Sequence, residues 1–92
     1  MATTEEFAVH SELLPGGMDV IHVTGELDLA TAPRVEEALA GVDGEVVVDL
    51  AGCTFLDSAG IRSLMGAARA LGERGHSLRV VTADPGIVRL LE

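Results

Sequence analysis

The chain has 92 residues, 48% of them hydrophobic and 23% charged, which is the composition of one globular domain and not of a disordered segment. Fifteen acidic residues stand against six Arg and no Lys, which gives a formal net charge of −9. A protein surface this acidic repels nucleic-acid phosphates, so we expect no nucleic-acid binding. The sequence shows neither an export signal nor an apolar run of roughly 20 residues, so we expect a cytoplasmic protein without membrane insertion.

The first half of the chain predicts a β-hairpin followed by a helix. Phe7–Leu13 alternates apolar and polar side chains, and Asp19–Thr24 resumes a strand-like composition after the turn sequence Pro15–Gly17. Glu26–Pro33 is predicted to be a loop that ends in a helix start. Apolar side chains recur at helical spacing in Arg34–Ala40, so this segment is predicted to be the first helix.

The second half predicts two strands that alternate with helices. Glu45–Leu50 contains a run of β-branched residues, which is typical of a strand covered on both faces. A loop over Ala51–Asp57 leads into a long helix that ends at Gly75. The predicted apolar face of that helix comprises Ile61, Leu64, Met65, Ala68 and Leu71. Leu78–Thr82 is predicted to be a strand, and Asp84 to begin a last helix.

The predicted element order is β-β-α-β-α-β-α, which places the chain in the α/β class. Strands joined through helices run parallel by right-handed crossovers, whereas the first two strands form an antiparallel hairpin. We therefore expect a single domain with a four-stranded mixed sheet covered by helices. The carboxyl ends of adjacent parallel strands lie at one sheet edge, so the loops after the second and third strands are predicted to be neighbours.

Asp49 and the acids of the loop Glu26–Thr31 are weak candidates for chemistry. An Asp at the end of a buried strand is typical of phospho-acceptor receiver domains, but those also need a Lys, which this sequence lacks. The plainer interpretation of Asp49 is a polar residue that finishes a strand. The loop acids have no His or Cys beside them to support a metal site, and the three His are far apart in the sequence. Cys53 is predicted to be a small buried residue and not a redox centre.

Ser58 is the strongest candidate. A nucleophile elbow needs Gly two residues before the Ser, where this sequence has Leu56, and no His is placed to act as a base. Asp57 and Ser58 are both helix-capping residue types, and Ser58 falls on the solvent side of the predicted helix. A helix N-terminus tolerates an anion. A phosphate on Ser58 would add roughly −1.5 to −2 charges to an exposed surface, as a phosphorylation switch requires.

Three segments of the sequence resemble the STAS domain, in particular that of the bacterial anti-sigma factor antagonists. They are GELDLATAP, VVVDLAGCTFLDSAGIRSLMGAAR and LRVVTADPGIVRLLE, and the resemblance runs from Phe7 onward. Its most specific part is Asp49–Gly60. The resemblance implies one STAS domain over residues 1–92 that stops inside the third helix, so we expect the C-terminal end to be incomplete relative to the family.

The resemblance also implies a function. In that family the first Ser of the motif D-S-[SA]-G, which matches Ser58, is phosphorylated by an anti-sigma factor that is itself a serine kinase. The unphosphorylated antagonist binds the anti-sigma factor and frees the sigma factor, and a serine phosphatase restores this form. The implied partner-binding residues are Asp28, Thr31, Asp57, Ser58, Gly60 and Arg62.

No catalytic residue, metal ion or cofactor is expected from this resemblance. The alternative function is that of a STAS accessory subunit of a lipid or anion transport complex. Such subunits keep the fold but need no phosphorylatable Ser, so the intact motif around Ser58 favours the antagonist.

Overall fold

A computed structural model of the chain describes residues 6–82, where strands and helices alternate in the predicted order. The elements are β1 (Ala8–Leu13), β2 (Asp19–Leu27), α1 (Ala32–Ala40), β3 (Val46–Leu56), α2 (Ser58–Glu73) and β4 (Leu78–Val81). The last predicted helix, beginning at Asp84, lies outside the described residues. Neither α1 nor α2 is long and apolar enough to cross a bilayer.

The four strands form one mixed sheet, as predicted, and their order in it is β1-β2-β3-β4. β1 pairs with β2 in antiparallel fashion, and β3 is parallel to both β2 and β4. The hairpin turn is closed by hydrogen bonds from the Leu14 amide to the Met18 carbonyl (2.8 Å) and from the Gly17 amide to the Leu14 carbonyl (3.0 Å). Each helix connects two neighbouring parallel strands, so α1 and α2 lie side by side.

Both helices pack on the same face of the sheet and form one hydrophobic core. Its members from the sheet are Ile21, Val23, Leu27, Val46, Val48 and Leu50, and those from the helices and the α1–β3 loop are Ala32, Val35, Leu39, Val42, Leu64 and Leu71. The predicted helix faces are therefore largely confirmed. Met65, which was assigned to the apolar face of α2, is instead 56% exposed.

The prediction that the third strand is covered on both faces is wrong for the described part of the chain. Val48 is fully buried under the helices, whereas Val47 and Asp49 on the opposite face are only partly buried. Since α1 and α2 both lie on one side, residues 6–82 leave the other side of the sheet open. The β-branched run therefore reflects strand propensity at Val47 and core packing at Val46 and Val48.

β2 and β3 are longer than predicted. Glu26 and Leu27 were assigned to a loop, as were residues 51–56, but both segments belong to the parallel strands β2 and β3. Glu26 is opposite Phe55 and Leu27 is opposite Leu56, after register shifts that are typical of β-bulges. The cooperative pairing outweighs the low strand propensity of Ala, Gly and Glu in these segments. As a result, both strands end next to the start of α2.

Candidate functional site

The loops that follow β2 and β3 meet at the carboxyl end of the sheet, as predicted. The backbone amide of Asp57 donates a hydrogen bond to the carbonyl of Leu27 at 3.2 Å. This bond joins the end of β2 to the residue that begins α2. We refer to residues 28–31 and 57–62 together as the carboxyl-end surface.

The loop after β2 is held by side chains within it. One carboxylate oxygen of Asp28 accepts hydrogen bonds from the amides of Ala30 (3.0 Å) and Thr31 (3.1 Å). The Thr31 hydroxyl accepts from the amide of Asp28 (2.9 Å) and donates to the carbonyl of Glu26 (2.8 Å). Thr31 precedes α1 but makes no capping bond with its side chain. Asp28 and Thr31 therefore shape the loop, and Leu29 at its tip is 77% exposed.

The start of α2 is capped by Asp57, as its residue type predicts. Its carboxylate accepts hydrogen bonds from the amides of Ala59 (2.9 Å) and Gly60 (3.1 Å), two of the first-turn donors that lack a helical partner. Ser58, in contrast, is the first helical residue; it is exposed, and its hydroxyl has no hydrogen bond to another residue in the range 6–82. No general base is therefore in place for Ser58 among the described residues, and its hydroxyl faces solvent.

Gly60 allows the first turn of α2 to lie directly on the end of β2. A Cβ atom at this position would be 2.8 Å from Cγ of Leu27, 3.0 Å from the Leu27 carbonyl oxygen and 2.7 Å from Cδ1 of Leu56. Real Cβ atoms do not approach other atoms so closely, and both leucines pack in or against the core. Gly60 is buried, so its role in the carboxyl-end surface is to let the first turn of α2 pack closely on β2, and not to contact solvent.

Replacing Gly60 with Ala is expected to lower the free energy of unfolding by about 1–3 kcal/mol, because the added methyl group overpacks the contact with Leu27. Gly66→Ala is the matched control, since Gly66 is exposed on the same helix and a Cβ there would meet nothing within 4 Å. Helix propensity alone should make the control more stable by up to about 1 kcal/mol. Urea unfolding of both variants checks this, and equal effects would contradict the packing argument.

A groove of about 510 Å³ runs between α1 and α2 and opens onto the carboxyl-end surface. Leu29, Ala59 and Arg62 line the groove where it meets that surface. Farther along, the Ser63 hydroxyl donates a hydrogen bond of 2.6 Å to the Glu36 carboxylate, which links the two helices. The surface thus combines an apolar groove, a free hydroxyl at Ser58 and an exposed guanidinium at Arg62.

Two exposed apolar residues, one in this surface and one next to it in the sequence, were not proposed as partner-binding residues from the sequence. Leu29 projects from the loop, and Phe55, which is 50% exposed, lies at the end of β3 opposite Glu26. Exposed large apolar side chains grouped beside polar ones are typical of protein-binding surfaces. The feature of the sequence that could have indicated the exposed loop residue is Leu29 itself, which lies between the hydrogen-bonding residue types Asp28 and Thr31.

Asp49 lies away from this surface, on the open face of the sheet. It is within β3 and not at its end, so the prediction that it finishes the strand is wrong. Its carboxylate accepts hydrogen bonds from the Ala51 amide and from Nδ1 of His22, both at 2.9 Å. Nε2 of His22 donates to Glu12 at 3.0 Å. Both ring nitrogens face carboxylates, which only accept hydrogen bonds, so this arrangement favours the imidazolium form of His22.

These contacts shift two pKa values in opposite directions. The hydrogen bonds to Glu12 and then Asp49 raise the pKa of His22 above 6.5. The hydrogen bond from the Ala51 amide, followed by that from His22, lowers the pKa of Asp49 below 3.8. The folded state therefore holds the His22 proton more tightly than the unfolded state and the Asp49 proton less tightly.

We expect the free energy of unfolding to fall as the pH rises through the raised pKa of His22, and to fall again in acid as Asp49 becomes protonated. The His22 contribution is fully present below its ordinary pKa and is lost above its folded one. NMR titration of the His22 ring measures this pKa directly. Glu12→Gln should lower it toward 6.5, whereas Glu73→Gln, on an exposed part of α2, should leave it unchanged. A pKa of His22 at or below 6.5 in the unsubstituted protein would contradict the assignment.

The remaining candidates have different positions from those expected. His10 and His22, which are far apart in the sequence, stack with ring centroids 6.0 Å apart because β1 and β2 place them opposite each other. Within residues 6–82, no three His, Cys, Asp or Glu side chains are grouped to hold a metal ion. Cys53 is partly buried against the core, and its thiol donates to the Phe55 carbonyl at 3.1 Å.

Comparisons with known proteins agree with this geometry. The family model described as "Mlab, STAS domain" matches residues 12–92. The anti-sigma-B factor antagonist of Staphylococcus epidermidis is 33% identical over an alignment of 76 residues, and the match covers 78% of this chain and 70% of that protein. The crystal structure of an anti-sigma factor antagonist from Mycobacterium paratuberculosis has a TM-score of 0.81 at 28% identity, over 99% of this chain and 80% of that chain.

A more distant likeness concerns the fold alone. The murine Solute Carrier 26 family member A9 anion transporter superposes with a TM-score of 0.68 at 17% identity, over 80% of this chain and 13% of that chain. The same sheet and helices therefore also occur as a small part of a membrane transporter, and fold by itself does not assign a function. On the family match and the identity to the antagonists, the chain belongs to the STAS domain family, among the anti-sigma factor antagonists.

Proposed function

We propose that this chain binds an anti-sigma factor while Ser58 is unphosphorylated, and so frees a sigma factor. The anti-sigma factor is a serine kinase that transfers the γ-phosphoryl group of ATP to the Ser58 hydroxyl, with release of ADP and a proton. A serine phosphatase hydrolyses the phosphate ester with water and releases inorganic phosphate. The chain itself acts as a binding module and not as an enzyme.

The observation that carries this proposal is the position of Ser58. It is the exposed first residue of α2, beside the loop of Asp28–Thr31, and its hydroxyl has no hydrogen-bond partner within the described residues. A kinase needs such an accessible hydroxyl. Because Asp57 already caps the helix, α2 does not depend on the Ser58 hydroxyl, which can be modified without loss of a structural bond.

The residues implied by the family resemblance divide into two roles in this proposal. Asp28, Thr31 and Asp57 hold the backbone of the carboxyl-end surface by their hydrogen bonds, and Gly60 allows its close packing. Ser58 and Arg62 present their side chains to the partner. Leu29 joins them as an apolar contact, because a partner that covers this 77% exposed side chain removes apolar surface from water.

A kinase assay tests the proposal. Each purified anti-sigma factor of the source organism is incubated with ATP and the unsubstituted chain, Ser58→Ala or Ser11→Ala, and the phosphorylated residue is located by peptide mass spectrometry. Ser11, exposed on β1, is the matched control. We expect phosphate on Ser58 in the unsubstituted and Ser11→Ala chains and none in Ser58→Ala. Phosphate on Thr31 or Ser63 that persists in Ser58→Ala would contradict the proposal.

A further inference from the structure

Arg62 lies one helical turn after Ser58 on α2. Residues four positions apart on a helix are neighbours, with Cβ atoms about 5–6 Å apart, and an anionic residue that precedes a cationic one by four positions is the favourable arrangement. Both side chains are exposed. Among the ion pairs and hydrogen bonds of residues 6–82, none involves the Arg62 guanidinium. Arg62 is thus an unpaired cation within reach of the Ser58 hydroxyl.

A phosphate on Ser58 would find few other donors nearby. The amides of Ala59 and Gly60, which a helix N-terminus would otherwise offer, already donate to Asp57. Besides Arg62, the charged residues of the carboxyl-end surface are both acidic. They are Asp57, which precedes Ser58, and Asp28, which follows Leu27, the residue whose carbonyl accepts the hydrogen bond of the Asp57 amide. On the neighbouring helix, Glu36 faces α2 through its bond to Ser63. Within residues 28–31 and 57–62, Arg62 is the one cationic residue.

We propose that the Arg62 guanidinium binds the phosphoryl group of phosphorylated Ser58, and that phosphorylation thereby withdraws Arg62 from the partner. This inference rests on the proposed function, since it takes Ser58 to be the phosphorylated residue. In the unphosphorylated chain Arg62 is free to contact an anionic group of the anti-sigma factor. Phosphorylation then has two effects on the same surface: it adds an anion and it occupies the neighbouring cation.

The test uses the full chain with phosphoserine placed at position 58 during synthesis, so that no kinase is required. Phosphorus NMR follows the second ionisation of the phosphate, which for a free phosphoserine has a pKa of about 6. A guanidinium beside the phosphate favours the dianion and lowers this pKa. We compare the unsubstituted chain with Arg62→Lys, Arg62→Gln and Arg62→Glu, and use Arg69→Gln, an exposed Arg farther along α2, as the control for loss of one positive charge.

We expect Arg62→Gln to raise the phosphate pKa by about 0.3 unit or more, which corresponds to an ordinary helical ion pair. Arg62→Glu should raise it further, while Arg62→Lys and Arg69→Gln should change it less than Arg62→Gln does. The difference between Arg62→Gln and the unsubstituted chain should shrink at high salt because of screening. Equal pKa values in the unsubstituted and Arg62→Gln chains would overturn the inference, as would equal shifts in Arg62→Gln and Arg69→Gln.

This outcome is independent of the kinase assay. If no anti-sigma factor phosphorylates Ser58 but the phosphate pKa responds to Arg62, the proposed function fails and the pairing stands. If Ser58 is phosphorylated but its phosphate pKa does not change in the Arg62 variants, only the proposed pairing is contradicted. Arg62→Lys keeps the positive charge, so its phosphate pKa can still be compared with that of the unsubstituted chain if Arg62→Gln does not fold.

Discussion

Phosphorylation of Ser58 is expected to weaken binding of the anti-sigma factor by roughly 30- to 3,000-fold while the domain stays folded. The range follows from the roughly 2–5 kcal/mol that a mispaired buried charge typically costs at an interface, at about 1.4 kcal/mol per tenfold change in affinity. The carboxyl-end surface already carries Asp28 and Asp57, so a dianion between them and a partner is both desolvated and repelled.

The fold itself should tolerate the phosphate. Ser58 is exposed at the positive end of the α2 dipole, where an anion contributes about 0.3–1 kcal/mol of stabilisation, and Asp57 continues to cap the helix. The switch therefore acts on the interface and not on folding.

Calorimetric titration with the anti-sigma factor, combined with thermal melts of each form, separates the two effects. Ser58→Asp should reproduce part of the loss, since it carries one charge on a shorter group, and Ser58→Ala should bind like the unsubstituted chain. Equal affinity of the phosphorylated and unphosphorylated forms would refute the switch. A large fall of the melting temperature on phosphorylation would show that the affinity is lost because the domain unfolds.

Replacing Gly25 with Ala is expected to lower the free energy of unfolding by about 2–5 kcal/mol, a large part of the 5–15 kcal/mol typical of a domain. Gly25 has a φ of +83°, which costs a non-glycine residue about 1–2 kcal/mol. A Cβ there would also lie 2.8 Å from Cα of Phe7 and 3.1 Å from the Glu6 carbonyl oxygen. These are backbone atoms, which cannot rotate away, so the start of the hairpin must shift, at about 1–3 kcal/mol.

Gly17→Ala isolates the conformational part of this effect. Gly17 also has a positive φ, +89°, but a Cβ there would meet nothing within 4 Å. Urea unfolding should give Gly17→Ala a free energy of unfolding about 1–2 kcal/mol below that of the unsubstituted chain, and Gly25→Ala should have a lower value still. If the two variants were equally stable, the close approach of Phe7 would contribute nothing.

The sequence predicted those elements whose patterns are local. The hairpin turn, the two helix faces and the capping role of Asp57 follow from residue type and spacing, and the structure has them. The extension of β2 and β3 toward α2 could not be predicted in this way. Gly52, for example, has low strand propensity and is part of the strand because it pairs with Thr24 of β2.

The same limit applies to the side chains. That His22 lies between Glu12 and Asp49 depends on the register of three strands, which no local pattern determines. The sequence named Asp28 and Thr31 as partner-binding residues by resemblance, but it could not reveal that their side chains bind the loop backbone. Nor could it reveal that this arrangement exposes Leu29.

The hydrogen bond between the Asp57 amide and the Leu27 carbonyl has a consequence for the thermodynamics of association. Together with the bonds of Asp28 and Thr31, it fixes the backbone of the carboxyl-end surface before any partner arrives. A preorganised surface loses little conformational entropy on binding, so most of the contact energy remains available as affinity. The two loops also respond as a unit, and substitutions in one should therefore be energetically non-additive with substitutions in the other.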